Sequence, residues 1–147
     1  MNSRVIPNID FFTLLEQELD EKGSVVFIVK GFSMQPILRN NRDQVLLTKV
    51  DGGLQEGDIC LFKVHGKHIL HRLIRREGDS LYMRGDNVID HCDICTPEDV
   101  VGVVKTVYRD GKSVSPTSPK WHAITILHRL YMRVRHFFGK IYHKIFK

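Results

Sequence analysis

The chain lacks any long hydrophobic stretch. Its longest unbroken apolar run is the five residues Val25-Val26-Phe27-Ile28-Val29, against roughly 20 for a bilayer-crossing helix, so no transmembrane helix is expected. Residues 1–20 hold no apolar core and carry Asp10, Glu16, Glu18 and Asp20, so no cleavable secretory signal is read there. Cysteine is scarce: Cys60, Cys92 and Cys95 are odd in number and too few for a disulfide framework, which points to a reducing compartment. The location expected is cytoplasmic or peripherally membrane-associated. Acidic residues are missing from residues 120–147, which hold seven of the 22 Lys and Arg. The rest of the chain carries 15 basic against 17 acidic groups. The net charge of +5 therefore belongs to the C-terminal stretch, and the body is not a general polyanion binder.

What is present is an ordinary globular composition, 147 residues with 42% hydrophobic and 27% charged, enough for one modest core. Asn8 can cap a helix over 9–22, in which Ile9, Phe12, Leu15 and Leu19 recur at helical spacing and Gly23 follows as a stop. Residues 24–30 read as a buried strand leading into the turn Gly31-Phe32-Ser33-Met34-Gln35-Pro36. Further strands are expected over 44–50, 58–65, 68–75, 80–84 and 100–109, separated by Gly-containing turns. The fold class expected is mostly β (α+β), a small barrel-like domain over 1–109 with one N-terminal helix. A linker is read over 110–119. Residues 120–147 read as a basic amphipathic helix, with Gly139 as a point of bending.

Ser33 stands at a sharp turn after a strand, where a hydroxyl can be held clear of the ladder. A serine becomes a nucleophile near neutral pH only with a base in reach. His71 is the first candidate, because it shares a strand face with Ile69 and Leu73, and partial burial keeps an imidazole neutral. Its alternative role is a satisfied core group. Asp86 and Asp90, in Gly85-Asp86-Asn87-Val88-Ile89-Asp90, can orient that base or serve a polar turn.

Gly31-Phe32-Ser33-Met34-Gln35-Pro36-Ile37-Leu38 resembles the Gly-x-Ser-Met-x-Pro-x-Leu nucleophile segment of the type I signal peptidase and LexA-like serine peptidase superfamily. Arg42-Asp43, Glu56-Gly57-Asp58-Ile59, His71-Arg72-Leu73-Ile74 and Arg84-Gly85-Asp86-Asn87 follow in that family's order, so the resemblance covers about residues 24–107. It implies a β-rich peptidase fold, Ser33 as nucleophile and His71 as base. Histidine at that position, where bacterial signal peptidases usually carry lysine, resembles the endoplasmic-reticulum and archaeal branch with its Ser/His/Asp arrangement. The acid is implied at Asp90 or Asp86, with Asp90 preferred as the orienting group and Asp86 as a structural or supporting acid. The backbone N–H of Ser33 is the implied oxyanion donor. Gly31 stands where some relatives place a serine hydroxyl, which leaves main-chain donors only. LexA-like self-cleavage at an Ala-Gly bond is not expected, since Ala123 is the only alanine and no DNA-binding domain fits before residue 24.

The function expected is a serine endopeptidase that cleaves a leader or precursor peptide. The alternatives are a catalytically inactive peptide-binding or regulatory module of the same fold, and a membrane-surface adaptor acting through the basic tail. The tail carries Trp121, Phe137, Phe138 and Phe146 with Arg133, Lys140 and Lys144, a composition suited to an anionic membrane interface. Its other reading is a helix packed on the β body or on a partner protein. Nucleic acid is not an expected partner, because the aromatics cluster with aliphatics and not with cations. Serine chemistry calls for no cofactor. The single Cys92-Asp93-Ile94-Cys95 is read as a reduced loop and not as a metal site. His65 and His68 are read as exposed turn residues.

Overall fold

The computed structural model describes residues 8–146, with side chains from Phe11 to Ile145. The expected capping of the first helix by the Asn8 side chain lies outside the described residues. Helix α1, Asn8–Lys22, ends at Gly23, whose N–H reaches the Leu19 carbonyl at 2.8 Å with φ of +79°. Leu15 and Leu19 pack its inner face into the core.

Eight strands follow: β1 Ser24–Ile28, β2 Gln44–Thr48, β3 Ile59–Val64, β4 Lys67–Glu77, β5 Ser80–Arg84, β6 Asp93–Cys95, β7 Val100–Arg109 and β8 Lys112–Val114. They form one antiparallel sheet in the order β1-β2-β7-β3-β4-β5-β6, with β8 on β7, curled into a half-barrel. The mostly-β class expected from the sequence is the class observed. β1 is not a buried strand as expected. It lies at the sheet edge with Val25 inward and Val26 and Ile28 about half exposed. Residues 110–119 do not form a plain linker. Asp110 and Gly111, with φ of 51° and 80°, make a tight hairpin turn whose twist matches the right-handed twist of the strands, and β8 pairs back on β7.

β3 sits mid-sheet and is buried on both faces. Ile59 and Leu61 point to a core shared with α1, β1, β2, β7 and the segment after β1, whereas Cys60 and Phe62 point to a second core under β4, β5 and β6. That is why Ile59-Cys60-Leu61-Phe62 shows no polar alternation.

Helix α2, Pro119–Phe146, runs unbroken through Gly139. Ser118 accepts the Trp121 N–H at 3.4 Å and its carbonyl accepts His122 N–H at 2.9 Å, with Pro119 at the first helical position. Trp121 does not face a membrane interface as expected. It is 5% exposed, joins the α1/β1/β2 core, and lies under Arg109, whose guanidinium carbon is 4.7 Å from the indole centroid. Among the described residues, no helix is long and apolar enough to cross a membrane.

Candidate active site

The site is assembled by sheet curvature. Ser33 lies just beyond β1, at one edge of the sheet, and His71 is in β4, four strands along the order. Closure brings Ser33 Oγ to 3.0 Å from His71 Nε2. Met34, Ile37 and Leu38, buried at 2% exposure or less, anchor the Ser33 turn from below and leave Ser33 part-exposed above them.

The turn is held by its carbonyls. Asn87 donates its backbone N–H to Ser33 O at 2.8 Å and its Nδ2 to Phe32 O at 3.1 Å. Arg109 Nη2 donates to Pro36 O at 3.0 Å and to Ile37 O at 2.8 Å. Asn40 Oδ1 accepts the N–H of Gly31 at 2.8 Å. Gly85 is required by space: a Cβ there would stand 2.5 Å from Ser33 O and 3.1 Å from His71 Nε2.

The carboxylate facing the other nitrogen of His71 is Asp93, with Oδ2 at 3.6 Å from Nδ1. Nδ1 is buried and makes no hydrogen bond among the described residues, so Asp93 stands slightly beyond hydrogen-bond length. Asp93 also accepts from His91 Nε2 at 3.0 Å. The register explains its position. Leu73 in β4 pairs with Met83 in β5, and Met83 pairs with Asp93 in β6. Cross-strand partners share a face, as do residues two apart, so Asp93 lies on the face of Leu73 and His71.

Neither acid expected at His71 is bound to it. Asp90 is 78% exposed in its side chain and faces His136 Nε2 of α2 at 3.8 Å. Asp86 is buried and gripped by Arg72, from Nε to Oδ1 at 2.9 Å and from Nη2 to Oδ2 at 2.9 Å, while Arg72 Nη1 donates to Gly57 O at 2.8 Å. Asp86 thus ties the Gly85-Asp86-Asn87 turn to β4 and to the Glu56-Gly57 turn. Asp93 carried a weak sequence signal, because β6 has three residues and its only motif was Cys-x-x-Cys. Those cysteines diverge, Cys92 to solvent and Cys95 into the second core. Burial pushes the Cys95 thiol up to about 11.

Burial lowers the His71 pKa below the usual imidazole value, against the opposing pull of Asp93 and Asp86. A cleft of about 160 Å³ opens at Ser33, lined by Val29, Lys30, Gly31, Met34 and the β4 residues His68, Ile69 and Leu70. His68 is not an exposed turn residue. Its ring stacks on Phe12 with centroids 4.1 Å apart, and Nε2 is 3.5 Å from Glu16. The segment on either side of Ser33, the buried histidine and the cleft together define a serine peptidase-like domain. A family model described as Peptidase S24-like matches residues 3–107, spanning Ser33, His71, Asp86, Asp90 and Asp93, and the chain belongs to that family. No curated protein matches the chain.

Proposed function

We propose that the protein is a serine endopeptidase that cleaves a leader or precursor peptide, with Ser33 as nucleophile, His71 as general base and Asp93 as the group that orients His71. The observation that carries this reading is the 3.0 Å contact between Ser33 Oγ and His71 Nε2. Ser33 Oγ attacks the scissile carbonyl as its proton passes to Nε2. The oxyanion forms against the Ser33 N–H. The proton returns to the leaving amine as the C–N bond breaks, and water then hydrolyses the Ser33 ester by the same base. Asp93, across the ring, favours the tautomer with hydrogen on Nδ1 and stabilises the transient imidazolium. Asp86 is a structural acid in this scheme, occupied by Arg72.

A peptide substrate is supported by the edge of β4. β4 pairs with β3 from Lys67 through Arg72 but meets β5 only from Arg72 onward. Among the described residues no strand covers the second edge of residues 68–71, beside the cleft, and an extended peptide can add there by backbone hydrogen bonds. A catalytically inactive peptide-binding module would use the same edge.

Labelling with a fluorophosphonate, which phosphonylates an activated serine with loss of fluoride, separates the two. Wild type is expected to label at Ser33, and both Ser33→Ala and His71→Ala to lose the label while remaining folded. A folded wild type that takes no label rejects the peptidase reading in favour of the binding module.

A further inference from the structure

We propose that α2 docks in the plane of an anionic lipid surface, with Ile126, Leu130, Val134, Phe137, Phe138 and Ile141 buried among the acyl chains. The observations are independent of the catalytic reading. These side chains are 37–61% exposed, and at 3.6 residues per turn they fall in one arc of about 120° together with Leu127 and Ile145. From Ile126 to Ile145 that stripe runs about 30 Å. An amphipathic helix ordinarily turns its apolar side onto its own protein; here the polarity is reversed. Trp121 and Met132, buried at 5% and 7%, fix the opposite side to the body. On that side His128 Nε2 donates to Asn87 Oδ1 at 3.0 Å, and Arg129 donates to Val88 O. Turning the stripe onto the body would break these contacts.

Charge selects the occupant. Arg133, Lys140 and Lys144 flank one side of the stripe and Arg135 the other, all exposed, and no acid lies between 120 and 147. A second copy laid on the same stripe would bring these uncompensated cations together. Anionic headgroups on either side of an inserted apolar stripe would neutralise them. The helix is too interrupted by cations to cross the bilayer, so it lies on the surface.

The test is sedimentation of the full chain with vesicles of phosphatidylglycerol and phosphatidylcholine, and with phosphatidylcholine alone. Binding to the anionic vesicles is expected to exceed that to the neutral ones at least tenfold, and to fall at least tenfold in Leu130→Glu/Phe137→Glu and in Arg133→Glu/Lys140→Glu/Lys144→Glu. The substituted positions face away from the core, so an unchanged thermal midpoint and unchanged Trp121 fluorescence report an intact fold. Wild type left in the supernatant overturns the proposal, as does equal pelleting of either variant. A lipid-indifferent dimer in light scattering that Leu130→Glu dissociates would assign the stripe to a second copy instead.

Discussion

At the scale of single residues, the protonation of His71 is set by opposing effects. Burial disfavours the imidazolium, and the negative charges of Asp93 and Asp86 favour it, with burial the stronger. The imidazole is therefore mostly neutral at the pH where an ordinary histidine, with pKa about 6.5, is half protonated. Phosphonylation of Ser33 by fluorophosphonate should show an acid limb whose midpoint lies below the ordinary histidine value of about 6.5. Asp93→Asn removes a charge that holds the His71 pKa up, so the acid limb should move to still lower pH. The plateau should also drop by roughly 10²–10⁴-fold, the range of general acid–base assistance, as the ring loses its orienting group. Asp90→Asn should leave both limb and plateau unchanged, because Asp90 faces α2 and solvent. A plateau lost in Asp90→Asn and kept in Asp93→Asn would return the orienting role to Asp90. Gly85 allows a second test. Its missing Cβ makes room for Ser33 O and His71 Nε2, so Gly85→Ala should cost about 1–3 kcal/mol in denaturant unfolding through overpacking and cut the labelling rate at least tenfold. Gly139→Ala, where a Cβ meets nothing within 4 Å, should instead stabilise α2 by up to about 1 kcal/mol with labelling unchanged.

At the scale of elements, what was legible follows from how local each determinant is. α1 was readable because its apolar spacing and Gly23 stop are contained in one segment. The hairpin strands were readable because turn residues separate them. β6 and β8 were not, since three residues carry no period, and both exist only because a longer strand offers an edge to pair with. The same locality explains the site. Ser33 and His71 sit in patterned surroundings, a turn after an apolar run and a polar residue on an apolar strand face. Asp93 becomes a partner of His71 only through the Leu73–Met83–Asp93 register, which two hairpins and a bulge between Leu73 and Arg75 must first establish. Amphipathicity located the stripe on α2 but not its direction. Trp121 reads as part of an interfacial aromatic set, and it is the Arg109 guanidinium and the core beneath that claim it.

At the scale of the whole molecule, α2 and the Ser33 turn rest on the same two supports. Arg109 lies over Trp121 and donates to Pro36 O, Ile37 O and the buried Asp43, at 2.6 Å to Oδ2. Asn87 accepts from His128 and donates to Phe32 O and Ser33 O. The segment from Phe32 to Ile37 is thus braced at both ends by groups on which α2 sits, so the first turns of α2 belong mechanically to the peptidase-like body. Its later turns do not, because beyond Met132 the helix presents mainly exposed side chains. Removing the whole tail therefore cannot separate a lipid-binding role from a catalytic one, and the position of the cut matters. A chain ending at residue 118 loses Trp121 and should be destabilised about as much as Trp121→Ala, by about 3–5 kcal/mol in denaturant unfolding, the usual cost of deleting a buried large aromatic. A chain ending at residue 132 keeps Trp121, Met132 and the His128–Asn87 and Arg129–Val88 contacts. It should fold, label at Ser33 within about twofold of the rate of the full chain, and lose vesicle binding. Labelling lost in the chain ending at 132, with its fold intact, would mean that the outer turns of α2 act on the Ser33 site directly.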